Sequence, residues 1–274
     1  MIQSILSYGF MQNALMAALV ASLISGIIGT IIVEKQLVSM SGGIAHASFG
    51  GIGLGYFLGI EPIVGGLVVA TGASLAVGQI QRRTQTKADT VVSMFWSAGM
   101  AMGILFIALT PGYPPDMTSY LFGDILTVND TYLAIMMALA LLMLVVVALF
   151  YNYFKLYLFD EEYAKILGIN VVAIEIILYI MIAFSIVILI KVVGIILALA
   201  LLTIPTATAK LFTFTLSRIM VLATGFGILY SLAGLTISYY LNIPSGASII
   251  LVSIAIYAIL AGVNKALNRG PLSD

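Results

Sequence analysis

Nine long apolar stretches restrict this chain more than any other feature of its sequence. They cover residues 10–33, 43–59, 63–80, 90–110, 131–154, 171–190, 192–209, 219–241 and 247–263. A helix needs about 20 apolar residues to cross the hydrocarbon core of a bilayer, which is about 30 Å thick, whereas a lipid-facing barrel strand alternates apolar and polar residues over about 10 positions. The stretches therefore predict an all-α, polytopic membrane bundle of about eight or nine spanning helices. The sixth and seventh could each cross, or one of them could re-enter or form a short outer helix.

The composition agrees with a lipid environment and excludes several functions. Only 8% of the 274 residues are charged and 62% are hydrophobic, whereas soluble proteins average about 25% charged residues. The net charge of zero gives no basic surface for nucleic acid, and without cysteine there is no thiolate metal site. We find no glycine-rich phosphate loop and no zinc-protease helix motif. The sequence predicts one transmembrane domain over residues 1–274 without a soluble domain, so any energy for work must come from a partner.

The basic residues predict the orientation of the bundle, because cytoplasmic loops are enriched in lysine and arginine. With nine spans and an outside N-terminus, ten of the eleven basic residues fall on the cytoplasmic side, and only Lys191 falls outside. The ten are Lys35, Arg82, Arg83, Lys87, Lys155, Lys165, Lys210, Arg218, Lys265 and Arg269. We therefore expect the C-terminus in the cytoplasm.

The connector "LFDEEYAKILGINV", residues 158–171, carries helix start and stop signals. Asp160, Glu161 and Glu162 suit the positive end of a helix dipole, Lys165 falls in the last turn, and Gly168 can cap the C-terminus. The pattern predicts a short cytoplasmic helix of two or three turns. Such a helix is either a solvated connector or a coupling helix that docks into a motor subunit.

Several sequence blocks resemble one family. The spacing of Asp160, Ala164, Leu167, Gly168 and Ile169 is similar to the coupling segment of the ATP-driven permeases that import zinc, manganese or iron. The blocks "SYLFGDILTVN", "VGIILALALLTIPTATAKLF" and "GLTISYYLNIPSGASIILV" resemble further blocks of that family in the same order, and "ADTVVSMFWSAGMAMGILFI" matches more loosely. The chain thus resembles the membrane permease subunit of the ABC-type zinc, manganese and iron uptake transporters.

The resemblance implies a transport subunit that is not itself an enzyme. Its expected partners are a separate ATP-binding cassette ATPase, an extracytoplasmic metal-binding protein, a second copy of the chain and membrane lipid, in the cytoplasmic (inner) membrane of a prokaryote. No cofactor is expected to stay bound, and a divalent metal ion is the cargo. The implied ATPase-coupling interface consists of Asp160, Glu161, Ala164, Lys165, Leu167 and Gly168.

His46 is the only histidine in the chain and lies in the second stretch. In the family, an aspartate precedes this histidine by four residues, which places both side chains on one helical face, and their carboxylate and imidazole suit a transition metal. Here Gly42 stands at the aspartate position. His46 is therefore either a metal ligand on the translocation path, where intramembrane ionisable groups usually lie, or a packed histidine that holds the bundle together.

Small residues recur at every fourth position in and around the second stretch. Gly51, Gly55 and Gly59, continued backwards by Gly43 and Ala47, form a small-residue stripe that lets another helix approach closely.

Glu175, in the sixth stretch, either reaches the interface or lines the path. Pro205 frees a backbone carbonyl that nearby threonines could satisfy. Asp116, Asp124 and Asp130 fall in the predicted outer loop, either as solvated residues or as a cation hand-over point.

Two other functions remain open at this level. A permease for metal chelates, such as siderophores or cobalamin, needs no direct metal ligand, and the missing aspartate favours it. An intramembrane enzyme using His46 with a carboxylate lacks a second catalytic group at a defined spacing.

Overall fold

The computed structural model describes residues 9–83, 88–112, 123 and 125–267. In these residues the chain forms nine α-helices and one short 3-10 helix, Ile125–Thr127, and no strand, so the predicted all-α class is confirmed. The helices are α1 Gly9–Glu34, α2 Val38–Leu58, α3 Pro62–Arg83, α4 Ala88–Leu109, α5 Asp130–Phe159, α6 Glu161–Ile166, α7 Val171–Ala209, α8 Leu216–Leu241 and α9 Ser245–Ala266.

Seven helices in the described part of the chain are long and apolar enough to cross a membrane. They are α1, α3, α4, α5, α7, α8 and α9. Helix α2 is long as well, with 21 residues, but six glycines and three serines make it less apolar than the others. The second predicted stretch is therefore a helix of spanning length whose composition is set by packing.

The sixth and seventh predicted stretches form one helix, α7, of 39 residues. It consists of two helical segments, 171–193 and 195–209, on either side of a kink. Helical geometry is interrupted at Gly194, where φ is 79° and ψ is 165°. This conformation is essentially restricted to glycine. The predicted join at Lys191 is thus a break three residues further on, at Gly194, between two helical segments.

Pro205 lies inside α7 and is not the break. Its missing N–H leaves the carbonyl four residues earlier, on Leu201, without its helical donor. The nearby threonines do not satisfy that carbonyl as predicted: Thr203 donates to the carbonyl of Leu199 and Thr208 to that of Ile204, both at 2.8 Å. These are the ordinary bonds of a threonine to the preceding helical turn.

The chain divides into two compact units. The first contains α2, α3, α4 and α6, with α5 from Val145 onwards and α7 up to Lys191. The second contains most of α1, α5 up to Leu144, α7 from Val192 onwards, α8 and α9.

In the first unit, α2 packs against α4 and α3 through small residues. Gly50 lies so close to α4 that an added Cβ would stand 2.8 Å from the carbonyl oxygen of Gly99, and Gly43 is similarly close to Val92. On the other side, Gly51 faces Gly65 of α3 without room for a side chain.

The small-residue stripe is therefore divided between two neighbouring helices, because i+4 positions drift around a helix of 3.6 residues per turn. Gly51 and Gly55 contact α3, whereas Gly43 and Ala47 contact α4. At Gly59, no described atom lies within 4 Å of the place where a Cβ would stand, and this residue ends α2 in the left-handed conformation.

In the second unit, α1 packs closely on α8, and α8 on α9. A side chain on Gly26 would overlap Thr224, and one on Gly234 would overlap the backbone of Ile249. The buried hydroxyls of Tyr230 and Thr208, 2.7 Å apart, link α8 to α7.

Candidate functional site

The geometry of α2 singles out His46. Every other residue between positions 40 and 53 is buried against the neighbouring helices, and only His46 is partly exposed. An imidazole at the edge of a glycine-packed helix can therefore be reached by a small ligand, whereas the rest of this segment cannot.

The imidazole of His46 lies flat against the indole of Trp96 on α4. The two ring centroids are 4.0 Å apart and the ring planes differ by 11°. Gly42 lies beside the same indole: a Cβ at this position would be 3.6 Å from Trp96 Cζ3, an ordinary van der Waals distance. Next to the position where the family carries an aspartate, this chain therefore has an aromatic ring that stacks on the histidine.

A thioether completes the surroundings of His46. The Nδ1 atom of His46 is 3.3 Å from the Sδ atom of Met100. Trp96 and Met100 are four residues apart on α4 and so lie on one face of that helix. Met100 is partly exposed and Trp96 is 43% exposed, so the cluster of His46, Trp96 and Met100 is open on one side. We call these three residues the His46 cluster.

The contacts found at His46 in the described part of the chain are those with Trp96 and Met100. There, no group of three or more histidine, aspartate or glutamate side chains could hold a metal ion. Glu175 forms an ion pair with Arg82 and is largely buried, so this pairing accounts for it.

The predicted carboxylates of the outer loop give no such group either. The side chain of Asp130 accepts a hydrogen bond from Asn13, 2.7 Å away. Asp116 and Asp124 lie outside the described residues.

The short helix α6 has both predicted caps. The carboxylate of Asp160 accepts a hydrogen bond from the N–H of Tyr163 at 2.8 Å. At the other end, Gly168 is left-handed and its N–H donates to Lys165, while the N–H of Ile169 donates to Ala164. This pair of bonds is the Schellman motif. The helix has six residues, fewer than two turns, so the predicted length of two to three turns was too long.

An ion cluster holds α6 in place. Glu161 Oε2 lies 3.0 Å from the Nζ of Lys35, and its Oε1 lies 2.9 Å from the Nζ of Lys165. Lys35 also donates to the backbone carbonyl of Tyr157 and lies 3.9 Å above its ring. Partial burial works to raise the pKa of Glu161, but hydrogen bonds from Lys165 and Lys35 outweigh it and lower the pKa. Glu161 is therefore an anchor for this helix.

The exposed surface of α6 differs from the predicted interface. Ala164 is fully buried, whereas Tyr163, Ile166 and Leu167 are exposed, Ile166 to 81%. Sequence reasoning missed Tyr163 and Ile166, although two apolar residues at i and i+3 in a charged connector are a usable signal. Exposed apolar residues next to charged ones are typical of a docking surface.

Comparison with known proteins agrees with the family resemblance. The profile described as "ABC 3 transport family" matches residues 7–263. The chain is 41% identical to an uncharacterized membrane protein of Synechocystis sp., over 93% of this chain and 90% of that protein. It is 32% identical to the manganese transport system membrane protein MntC of Listeria innocua, over 94% of this chain and 92% of that protein.

A solved structure shares both fold and sequence with this chain. The match is to PsaBC from Streptococcus pneumoniae in complex with Fab, with a TM-score of 0.86, 30% identity, and coverage of 94% of this chain and 93% of that chain. Agreement of profile, sequence and fold over nearly the whole length excludes an intramembrane enzyme built on His46. The chain belongs to the ABC 3 transport family.

Proposed function

We propose that this chain is the membrane-spanning permease subunit of an ATP-driven ABC importer that carries a first-row transition-metal ion, namely zinc, manganese or iron. The observation that carries this proposal is the nearly end-to-end similarity to a manganese transport system membrane protein, 32% identical over 94% of this chain. A free metal ion is favoured over a metal chelate as cargo by the same similarity. Like its relatives, the subunit transports and does not catalyse a reaction.

The ion path of this proposal passes His46. This imidazole is the one side chain in residues 40–53 of α2 that reaches the surface of its unit. An imidazole is a ligand for zinc, iron and related ions, and ionisable groups within membrane segments usually mark pathways because their desolvation is costly. His46 would bind the ion briefly and release it as the surrounding helices move.

The ATPase subunit docks on α6 in this proposal. The helix is capped at both ends and tied to Lys35 by Glu161, so it is a rigid element. Its exposed apolar residues, Tyr163, Ile166 and Leu167, would enter a groove of the motor subunit. A push on α6 would reach α1 and α5 through Lys35 and the backbone of Tyr157.

We base the oligomeric state, the membrane, the orientation and the binding protein of the importer on the family resemblance. We propose a homodimer in a prokaryotic cytoplasmic membrane, with the N-terminus outside and α6 on the cytoplasmic side. An extracytoplasmic binding protein would deliver the ion to the outer surface.

The test is ATP-driven uptake of radioactive Zn²⁺, Mn²⁺ and Fe²⁺ into proteoliposomes that contain permease, ATPase and binding protein. We expect at least one free ion to accumulate only with ATP and only when all three proteins are present. Accumulation of an iron siderophore or cobalamin, with no uptake of any free ion, would instead establish the chelate permease. If neither a free ion nor a chelate is taken up, the transport proposal is rejected.

A further inference from the structure

We propose that Met100 is the second ligand of the ion at His46, in place of the missing aspartate, and that it makes this site prefer a late first-row ion over Mn²⁺. Among zinc, manganese and iron, the preferred cargo is then Zn²⁺, and Cu⁺, which also accepts nitrogen and sulfur together, serves as a soft probe ion. This inference rests on the proposed function, because it assumes that the ion passes His46.

The first argument is the distance between the two donor atoms. Zinc binds imidazole nitrogen at about 2.0 Å and thiolate sulfur at about 2.3 Å. With donors 3.3 Å apart, as His46 Nδ1 and Met100 Sδ are, bonds of these lengths enclose an angle of about 100° at the ion, and a thioether bond somewhat longer than the thiolate one narrows it only slightly. That angle is close to tetrahedral. The two atoms thus already have the separation of two ligands in one tetrahedral site.

The second argument is the chemistry of the donors. Thioether sulfur is a soft ligand that suits Cu⁺ and zinc, and imidazole suits zinc, copper and iron, whereas Mn²⁺ prefers carboxylate, carbonyl and water oxygen. Replacing aspartate by Gly42 removes the oxygen donor, and Met100 supplies sulfur from α4. Among the described residues, no group of three or more histidine, aspartate or glutamate side chains could hold a metal ion, so the carboxylate-rich ligand set that suits manganese is not found there.

The third argument concerns Trp96, whose indole lies beside both Gly42 and His46. A side chain at position 42 would meet the indole of Trp96, and the same indole stacks on His46 at 4.0 Å. The stacking fixes the plane of the imidazole, and within this plane Nδ1 lies 3.3 Å from the Sδ atom of Met100. Trp96 is therefore a positioning residue, and the open side of the His46 cluster leaves room for an ion and for water ligands.

The experiment is uptake of Zn²⁺, Cu⁺ and Mn²⁺ by the complete importer carrying Met100→Leu, which keeps the volume and removes the sulfur. We expect the ratio of Zn²⁺ or Cu⁺ uptake to Mn²⁺ uptake to fall at least about tenfold, since even the loss of a residue that supports a ligand weakens metal sites 10- to 100-fold. Met102→Leu is the matched control, because Met102 lies on the same helix and is 42% exposed. It should leave the ratio unchanged.

A parallel His46→Ala importer separates the two proposals. If His46→Ala stops uptake and Met100→Leu leaves the ratio as it was, Met100 is not a ligand and only this inference fails. If His46→Ala leaves uptake of every ion unchanged, the ion does not pass His46, and this inference fails together with the proposed His46 path, whereas the uptake itself still supports the importer. A wild-type importer that takes up Mn²⁺ in preference to both other ions also overturns the inference.

X-ray absorption of the wild-type permease loaded with Zn²⁺ or Cu⁺ avoids any dependence on the folding of a variant. The chain contains no cysteine, so a sulfur neighbour of the metal can come only from methionine. We expect one sulfur scatterer at or slightly beyond the zinc–thiolate distance of about 2.3 Å. A first shell of only nitrogen and oxygen contradicts the assignment of Met100.

Discussion

At the scale of single residues, the His46 cluster shows which part of a site can be predicted from sequence. His46 stands out because it is the only histidine, and Gly42 stands out because it replaces the aspartate of the family pattern. The two residues are four positions apart on one helix. Trp96 and Met100 could not be found in this way. They lie on another helix, and Met100 follows His46 by 54 residues. The α4 residues that face α2 are determined by the register of the two helices. That register depends on close glycine contacts, such as the one between Gly50 and Gly99.

Gly42→Asp should move the metal preference of the importer towards Mn²⁺. The new Cβ stands at an ordinary contact distance of 3.6 Å from Trp96, so the variant should fold, and its carboxylate offers the oxygen ligand that manganese prefers. We expect Mn²⁺ uptake relative to Zn²⁺ to rise about tenfold, equivalent to about 1.4 kcal/mol.

Gly42→Asn is the control for this change, since it has the same shape without the charge. An equal shift in both variants would mean that the effect comes from displacement of Trp96 and not from a new ligand.

At the scale of one element, α6 shows how local signals predict a helix but not its surface. Asp160 and Gly168 cap the helix as the sequence indicates, because caps depend on neighbouring residues only. The burial of Ala164 and the exposure of Ile166 depend on packing against the rest of the first unit, which sequence spacing alone does not specify. Five of the six predicted interface residues therefore have structural roles already: Asp160 and Gly168 cap the helix, Glu161 and Lys165 form an ion pair, and Ala164 is buried.

The ion cluster at Glu161 predicts a dependence of stability on pH. Because the folded-state pKa of Glu161 is lowered, its stabilising contribution is complete above the unfolded pKa of about 4.5 and is lost as the pH falls through the lower folded value. We expect Glu161→Gln to lower the Tm of the detergent-solubilised permease at neutral pH and to flatten the decline of Tm below about pH 4.5.

Glu162→Gln, the adjacent position on α6, provides the comparison, since Lys35 and Lys165 both bond to Glu161. If both variants follow the same Tm curve against pH, the cluster does not stabilise the protein.

Ile166→Asp tests α6 as the docking helix. The side chain is 81% exposed, so the change should leave the fold intact, while a charge placed in an apolar groove of the ATPase costs several kcal/mol of binding energy. We expect the variant to lose the ATPase on affinity purification, whereas Ile166→Met retains it. Retention of the ATPase by both variants would remove α6 from the interface.

At the scale of the whole molecule, composition and charge distribution predict more than any single motif. The apolar stretches predict the all-α class and, apart from the sixth and seventh, each corresponds to one long helix. The sixth and seventh stretches are the exception because the helical geometry breaks at a single residue, Gly194. A polar loop, which would mark the end of a helix in the sequence, is not needed for such a break. The orientation relies on the distribution of lysine and arginine and stays a prediction.

Single-cysteine labelling can test that orientation, because the chain has no cysteine of its own. Ile166→Cys and Leu241→Cys place one thiol each at an exposed position on the predicted inner and outer sides. In intact cells that produce the permease without its ATPase, which would otherwise cover position 166, a membrane-impermeant maleimide should label position 241 and leave position 166 unlabelled until the cells are opened. The reverse pattern would show that the N-terminus is inside.

The central claim, that a metal ion crosses this permease past His46, is tested most directly by the number of ions imported per ATP hydrolysed. Uptake and ATP hydrolysis would be measured in the same proteoliposomes for the wild type and for His46→Ala. We expect the variant to keep ATP hydrolysis stimulated by the loaded binding protein and to lose most of the imported ions, because assembly and coupling involve α6 and not His46. An unchanged number of ions per ATP in the variant would contradict the account and leave His46 as a packing residue.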